Sequence, residues 1–206
     1  MASVFFDVGV SLDGFMAGAN RSPGNPLGDG GVALHEWVFR TAFFRERLGL
    51  PEAGERSDED ALVRRVFERA GAYVMGRRMF DEGEVGWPEA PPFRAPVFVL
   101  THTPREPWVR KGGTTFHFVT EGADRALALA REAAQGRDVR VSGGADTIRQ
   151  CIEAGWIDDF TLHVAPMLMG EGLRLFDALV PAALRAEPVA ASHSRLATHL
   201  HYRVLR

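Results

Sequence analysis

The sequence predicts an α/β protein in which a mostly parallel sheet carries helices on both faces and has an antiparallel C-terminal edge. Short segments rich in β-branched and aromatic residues alternate with helical segments up to about Ala165, an order typical of parallel strands joined by helices. The last two such segments, 186–193 and 196–205, alternate apolar and polar residues across a short break. That pattern predicts a hairpin with one solvated face.

Composition narrows the class of protein. The chain has 206 residues, 46% hydrophobic and 25% charged, which favours one continuous globular domain over residues 1–206. A net charge of -3 argues against a sequence-independent nucleic-acid binder. No signal peptide and no apolar run of membrane-span length is visible, so the cytoplasm is the expected location. The one cysteine, Cys151, excludes an intramolecular disulfide and lies in a helical pattern that favours a buried, unreactive thiol.

The N-terminal third predicts a strand, a long loop and an aromatic helix. Residues 3–11 are rich in valine and phenylalanine and run into the turn Leu12-Asp13-Gly14. Residues 17–32 are rich in glycine and proline, and loops of that length are usually functional. Residues 34–44 have apolar residues at helical spacing. The extended loop and helix segment covers about residues 18–56, and we expect its part from Gly28 to Arg56 to form a lid or a dimer contact.

The middle of the chain alternates helix and strand. Ser57 followed by Asp58-Glu59-Asp60 predicts a capped helix that ends near Gly71. The further elements expected are strands at 72–75, 95–100, 114–119 and 159–165, a helical turn at 77–82 and a helix at 123–135.

The segment 139–148 predicts an anion site. A short strand leads into Gly143-Gly144, and Ala145-Asp146-Thr147 opens a helix with Ile148 on its apolar face. Glycines let a backbone approach a ligand closely, and the first turn of a helix presents unpaired N–H groups to a phosphate. Taken alone, the two glycines are equally consistent with an ordinary turn.

Other predicted strand ends carry complementary chemistry. Gly76-Arg77-Arg78-Met79 offers a second helix start with two guanidinium groups, which suit a phosphomonoester. Thr101-His102 follows a third strand, and residues 11–20 follow the first. Ligands bind beyond the carboxyl ends of strands in such sheets, so these ends together predict one extended dinucleotide site. Surface charge for the arginines and a loop position for His102 remain the alternatives.

Five motifs carry a resemblance to a known family. They are the run Val4 to Gly14, the segment Val74 to Phe80, Val97 to Thr101, Ser142-Gly143-Gly144-Ala145, and Pro166 to Gly172. In this order and spacing, over nearly the whole chain, they resemble the dihydrofolate reductase superfamily, and most closely the reductase domain of bifunctional riboflavin biosynthesis proteins. The resemblance implies a dihydrofolate-reductase-like three-layer fold with a mixed sheet of about eight strands, NADPH as cofactor and a homodimer.

The resemblance also implies roles for individual residues. It places the 2′-phosphate near Arg77 and Arg78, the adenine ribose near Thr101 and His102, and the nicotinamide beside Val10, Ala17 and Asn20. The pyrophosphate would lie on Met79 and on the turn after the strand. The complete set of expected cofactor-binding residues is Val10, Ala17, Asn20, Gly76, Arg77, Arg78, Met79, Thr101, His102, Gly143, Gly144, Ala145, Asp146, Thr147 and Ile148.

The substrate side is less defined. The resemblance places a carboxylate at Asp60 as the proton donor, although the helix dipole alone explains an acid there. Glu36, beside Trp37 in the aromatic helix, is the competing catalytic acid. Asp13 and Trp37 are the expected substrate-binding residues, with a purely local role in the turn as the alternative for Asp13.

Two functions follow from these patterns. The first is an NADPH-dependent oxidoreductase that transfers hydride to a small heterocyclic substrate, similar to 5-amino-6-(5-phosphoribosylamino)uracil reductase or dihydrofolate reductase. The second is a catalytically inactive NADP(H)-binding protein with a regulatory or sequestering role. No metal is expected, because the alternation of His193, His199 and His201 is better explained by one face of a strand. The aromatic residues Trp37, Phe43 and Phe44 look exposed in the sequence and are consistent with a homodimer.

Overall fold

The structure, a computed structural model, describes residues 2–180 and 184–206. Its strands are β1 (Val4–Ser11), β2 (Phe15–Ala17), β3 (Ala70–Gly76), β4 (Val97–Leu100), β5 (Trp108–Val109), β6 (Thr115–Val119), β7 (Asp138–Gly143), β8 (Asp159–Ala165), β9 (Leu173–Arg174), β10 (Ala186–His193) and β11 (Thr198–Val204). Its helices are α1 (Glu36–Arg40), α2 (Ala42–Leu48), α3 (Asp58–Arg69), α4 (Arg77–Glu84), α5 (Ala123–Ala133) and α6 (Ala145–Glu153), with 3-10 turns at Gly31–His35 and Lys111–Gly113.

Within the described ranges, nine strands form one sheet in the order β10-β11-β8-β1-β7-β3-β4-β6-β5. The six strands from β8 to β6 in that order are parallel, and β10 and β11 add the predicted antiparallel edge. The short strand β5 is antiparallel at the other edge, and β2 pairs with β9 outside the main sheet. The predicted fold class is confirmed. The sheet has one strand more than expected, because two-residue strands carry no readable periodicity.

The central strand β1 shows how the two faces of the sheet differ. All eight of its residues are buried, as expected of a parallel strand covered on both sides. Side chains alternate between the faces, so Val4, Phe6 and Val8 join the core beneath α5 and α6. Phe5 joins the opposite core, which includes buried residues of α1–α4. Asp7 has the same parity as Phe5 and therefore faces the α1–α4 side.

The helical segment after the long loop is divided where a single helix was predicted. Thr41 adopts an extended conformation between α1 and α2, and its Oγ1 donates to the Val38 carbonyl at 2.8 Å. A threonine side chain that satisfies the backbone in this way competes with helix continuation. The division turns Trp37 and Phe43 inward, to 5% and 7% exposure. The expectation that these two aromatics are exposed is therefore wrong.

Helix α3 begins as predicted, with the backbone N–H of Asp60 donating to Ser57 Oγ at 3.3 Å. Its last residue, Arg69, reaches the start of two strands and binds Asp138 and both oxygens of Asp159. These ion pairs fix the helix across the sheet.

Among the residues that the structure describes, no helix has the length and apolar character that a membrane span requires.

Candidate functional site

A cavity of about 460 Å³ lies between the sheet and the layer formed by α1–α4. Its floor consists of side chains and backbone from the middle of β1, β7 and β8, and its wall comes from the long loop, α1, α2, α3 and the region after α4. Segment 18–56 thus supplies a wall of the cavity. The residues that line the cavity include Asp7, Ala17, His35, Trp37, Met79, Arg140, Ser142, Gly144 and His163.

Two helix starts meet at one edge of the cavity. Strands β3 and β7 are neighbours, so the glycines at their ends come together. A Cβ added at Gly76 would lie 2.6 Å from Thr147 Oγ1 and 3.6 Å from the Gly144 nitrogen. Neither α4 nor α6 has a side-chain cap at its N-terminus. The N–H groups and dipoles of both helices are therefore available to the same anion.

Gly144 leaves room for that anion. A Cβ built on Gly144 meets no heavy atom within 4 Å, and the residue lines the cavity. Gly143 has φ 135°, a conformation that favours glycine, and a Cβ there would lie 3.2 Å from Met79 Sδ. The pair thus combines a backbone that needs glycine with a surface open to a ligand. These features fit the pyrophosphate of a dinucleotide.

The predicted phosphomonoester residues lie beside this edge. Arg77 Nη1 donates to Thr101 Oγ1 at 3.2 Å, and its Nε donates to Asp81 at 2.7 Å. Arg78 pairs with Glu82 at 3.1 Å, while its side chain remains 70% exposed. His102 is exposed in the following loop. The structure therefore brings Arg77 and Thr101 together, whereas the Arg78 side chain lies against Glu82 and the carbonyl of Arg21. Both guanidinium groups have N–H groups left for a further acceptor.

The residues expected near the nicotinamide are separated by the fold. Ala17 lines the cavity. The side chain of Val10 belongs to the opposite core, under α5 and α6. Asn20 is exposed, and its amide donates to Asp29 at 2.7 Å within the loop. Of the three, only Ala17 presents its surface to the cavity.

A buried polar group forms the cavity floor. Arg140 Nη2 donates to the Asp7 carbonyl at 2.9 Å and lies 3.2 Å from Asp7 Oδ1. His163 Nε2 lies 3.0 Å from Asp7 Oδ2, within ion-pair distance but without a well-directed hydrogen bond. Burial on its own raises the pKa of Asp7, but the neighbouring His163 and Arg140 outweigh it and hold that pKa below its ordinary value. Asp7 is therefore an ionised carboxylate on the cavity floor.

Five buried polar atoms of this floor make no well-directed hydrogen bond within the described part of the chain. They are Asp7 Oδ2, Trp37 Nε1, Arg140 Nε, Ser142 Oγ and His163 Nε2, all buried side-chain atoms of cavity-lining residues. A buried polar atom without a partner costs about 1–3 kcal/mol, so such atoms rarely cluster without a ligand. The Trp37 ring lies against the His163 ring, with 4.2 Å between centroids. The floor can therefore bind a polar, planar molecule.

The two predicted catalytic acids lie elsewhere. The Asp60 carboxylate accepts the backbone N–H of Phe43 at the start of α2, and Asp60 does not line the cavity. Glu36 is solvent-exposed, pairs with Arg40 at 2.7 Å and is also absent from the lining. Each carboxylate is engaged in local helix structure. The geometry therefore favours other groups as proton donors.

Asp13 also has a local role. Its carboxylate accepts the backbone N–H groups of Met169 at 3.0 Å and Gly170 at 2.8 Å, and the hydroxyl of Ser11 at 2.6 Å. The Ser11 hydrogen bond, helped by the two backbone N–H groups, lowers the pKa of Asp13 to about 2. Asp13 joins the first turn to the 166–172 turn, and it does not line the cavity.

Sequence reasoning missed Asp7, Arg140 and His163. Asp7 is the one charged residue of β1, which was a usable signal, whereas Arg140 and His163 lie in strands that contain other polar residues and so stand out less. Only the strand order shows that β7, β1 and β8 are neighbours in the sheet. Because side chains alternate between the two faces of a strand, all three side chains point to the same face. Of the two predicted substrate-binding residues, Trp37 lines the cavity.

Comparisons with known proteins agree with this architecture. The sequence model of the RibD C-terminal domain matches residues 2–199. An uncharacterized Bacillus subtilis (strain 168) protein, YwjB, is 26% identical over 113 residues, which cover 55% of this chain and 62% of that protein. The match thus spans less than two thirds of this relative.

Solved structures share the fold. A Shewanella sp. PV-4 protein named for riboflavin biosynthesis has a TM-score of 0.67 at 23% identity, with both chains fully covered. A Thermotoga maritima diaminohydroxyphosphoribosylaminopyrimidine deaminase/5-amino-6-(5-phosphoribosylamino)uracil reductase has a TM-score of 0.60 at 13% identity, over 99% of this chain and 57% of that one. Dihydrofolate reductase of Enterococcus faecalis, solved with NADP(H), has a TM-score of 0.56 at 12% identity, over 98% and 96% of the two chains. With its family model matched over nearly its whole length, this chain belongs to the RibD C-terminal domain family.

Proposed function

We propose that this protein is an NADPH-dependent reductase that transfers hydride to a small heterocyclic substrate. The observation that carries the proposal is the continuity of one cavity. The same cavity is lined by Gly144 and Met79, at the edge that suits a dinucleotide, and by Asp7, His163 and Trp37, on the floor that suits a polar planar molecule. A reductase needs both partners in one enclosed space.

The cofactor assignment is supported by the charge at the cavity edge. NADPH differs from NADH by a 2′-phosphate, and Arg77 contacts Thr101, where the adenine ribose is expected, with Arg78 next to it along α4. Guanidinium groups bind such a phosphate through charge-assisted hydrogen bonds. The uncapped starts of α4 and α6 supply N–H groups for the pyrophosphate.

Reduction of a C=N or C=O bond adds a hydride to carbon and a proton to the heteroatom. When bound, NADPH supplies the hydride. We assign the proton to the Asp7 and His163 pair, whose Oδ2 and Nε2 lie 3.0 Å apart on the cavity floor without a well-directed hydrogen bond. Arg140 holds the Asp7 carboxylate in place, and the Trp37 ring covers His163 and keeps water from the pair.

The substrate class follows from the floor and from the family. Donors on Trp37, Arg140 and Ser142 and an acceptor on Asp7 suit the amide-like edges of a pyrimidine or pterin ring. We propose a substrate similar to 5-amino-6-(5-phosphoribosylamino)uracil, with dihydrofolate as the second candidate. A cytoplasmic location and a homodimer also remain proposals; the dimer now rests on the family resemblance, because Trp37 and Phe43 are buried.

The test is NADPH oxidation in the presence of each of the two candidate substrates, together with the variant Asp7→Asn. The variant should lower kcat about a hundredfold or more, as loss of a general acid does, while NADPH still raises the Tm. Asp124→Asn, an exposed change on α5, is the control and should match the parent. A parent that binds no NADPH would overturn the proposal. Tight NADPH binding without turnover of either substrate would favour the regulatory or sequestering protein instead.

A further inference from the structure

The polar floor continues through the protein as a line of side chains. His163 Nδ1 lies 2.7 Å from His199 Nδ1 on the neighbouring strand β11, where the two histidines are directly paired in register. His199 Nε2 lies 3.1 Å from Glu59 Oε1 on α3, and the same oxygen accepts the Ser194 hydroxyl at 2.6 Å. With the 3.0 Å contact between Asp7 and His163, three links connect two carboxylates through two imidazoles.

We propose that Asp7, His163, His199 and Glu59 form a proton path that reloads the cavity from the protein surface. The proposal rests on the proposed function, since a reductase consumes one proton in each turnover. Beyond Asp7, which faces the cavity, side-chain accessibility increases toward the surface, from 1% for His163 to 5% for His199 and 13% for Glu59. Glu59 is therefore the group that exchanges protons with solvent.

A count of protons explains why the line can conduct. Each link holds one proton when it is made as a hydrogen bond, and the contact between Asp7 and His163 needs only a small reorientation from its 3.0 Å ion-pair distance to become one. The contact between the two Nδ1 atoms requires that one nitrogen donates and the other accepts. The two rings must then carry complementary protonation at Nδ1. Two neutral imidazoles supply only two protons for three links, so the line holds a third proton when every link is made. That third proton is the mobile one.

The transfer is balanced at every step. With the extra proton on Glu59, the Glu59 carboxyl gives its proton to His199 Nε2, His199 Nδ1 gives one to His163 Nδ1, and His163 Nε2 gives one to Asp7. Both rings are neutral before and after, and one proton has moved from Glu59 to Asp7. Asp7 then protonates the heteroatom of the substrate as its carbon receives the hydride from NADPH, which is oxidised to NADP⁺.

The surroundings keep the line dry and disfavour a charge on His199. Trp37 packs against both imidazoles, with centroids 4.2 Å from His163 and 4.9 Å from His199. Burial, helped by the neighbouring His163, lowers the pKa of His199. Arg140 faces Asp7, and His35 also lines the cavity with a pKa that burial lowers. The low pKa of Asp7 favours its ionised form, so Asp7 holds a proton only in passing between His163 and the substrate.

A measurement without turnover tests the path by itself. The full chain with ¹⁵N-labelled histidine should show, for His163 and His199, one protonated and one unprotonated Nδ1 between pH 5 and pH 9, with assignments from His163→Gln and His199→Gln. The two rings should change together as pH is varied. Two unprotonated Nδ1 atoms, or rings that titrate independently, would overturn the path whatever the catalytic activity proves to be.

The kinetic arm compares two variants on the same helix. Glu59→Gln should lower kcat for NADPH oxidation with 5-amino-6-(5-phosphoribosylamino)uracil by about tenfold or more, raise the solvent deuterium isotope effect and leave the KM for NADPH unchanged. Glu68→Gln, an exposed change on α3, should behave as the parent. An active parent whose rate and isotope effect are insensitive to Glu59→Gln would contradict the path. A parent inactive on both candidate substrates would count against the proposed reductase activity, and the NMR result would still decide the path.

Discussion

Replacing Arg77 and Arg78 by alanine should erase a preference for NADPH over NADH. Arg77 is 35% exposed and anchored by Asp81 and Thr101, so a charge-assisted contact to a 2′-phosphate should contribute about 1.5 kcal/mol. Arg78 is 70% exposed, and its contribution should be about 0.5 kcal/mol. Together they amount to about 2 kcal/mol, or roughly a thirtyfold difference in Kd between the two cofactors.

Thermal unfolding converts this difference into a measurable shift. At a concentration 100 times the Kd of NADPH, the ligand stabilises the fold by about 2.7 kcal/mol, and NADH at the same concentration by about 0.9 kcal/mol. At roughly 2–4 °C per kcal/mol for a chain of this size, Tm should rise by roughly 5–11 °C with NADPH and 2–4 °C with NADH.

Two double variants test whether Arg77 and Arg78 cause the difference in Tm shift between NADPH and NADH. In Arg77→Ala/Arg78→Ala the two cofactors should give equal, smaller shifts. The control Arg125→Ala/Arg131→Ala removes the same charge from exposed positions on α5 and should keep the difference. Equal shifts in the parent, or a difference that survives in Arg77→Ala/Arg78→Ala, would refute the 2′-phosphate assignment.

The other predictions concern single positions. Gly144→Val should leave a folded protein, because its Cβ enters open space at an ordinary φ of -74°, but should abolish the NADPH shift in Tm. Gly24→Val, whose Cβ would meet only Ser22 Oγ at an ordinary contact distance of 3.9 Å, should leave that shift unchanged. Asp60→Ala should lower the free energy of unfolding by about 1–2 kcal/mol, because the carboxylate no longer accepts the backbone N–H of Phe43, and should leave kcat unchanged. A large fall in kcat at unchanged stability would restore Asp60 as the proton donor. In the folded protein the pKa of Asp13 is lowered to about 2, so its contribution to stability is present above its ordinary pKa of 3.8 and is lost as pH falls toward 2. Asp13→Asn should remove this pH dependence of stability and speed hydrogen exchange at the Gly170 amide. An Asp13 that titrates near 3.8 by NMR would contradict this. Cys151 is buried, which raises its thiol pKa to about 12, and should react with a thiol reagent only after unfolding; rapid labelling of the native protein would contradict its burial.

Local patterns in the sequence were sufficient for most elements of the fold. Strand β1, the capped start of α3 and the Gly143-Gly144 turn are each specified by a few adjacent residues, through β propensity, capping and glycine geometry. The alternation of strand and helix then led to the parallel sheet. The division between α1 and α2 was not predicted, because it depends on Thr41 and on the distant Asp60.

The fold class, the antiparallel edge and the glycine and arginine residues that follow the strands can be predicted from local sequence, because they depend on neighbours along the chain. Which polar groups share the cavity depends instead on how distant strands are arranged in the sheet. Asp7 lies more than a hundred residues before Arg140 and His163 in the chain. The three side chains meet because β7, β1 and β8 are neighbouring strands and because the alternation of side chains directs all three to the same face. The acids that the sequence favoured, Asp60 and Glu36, are held by backbone and ion-pair contacts outside that cavity.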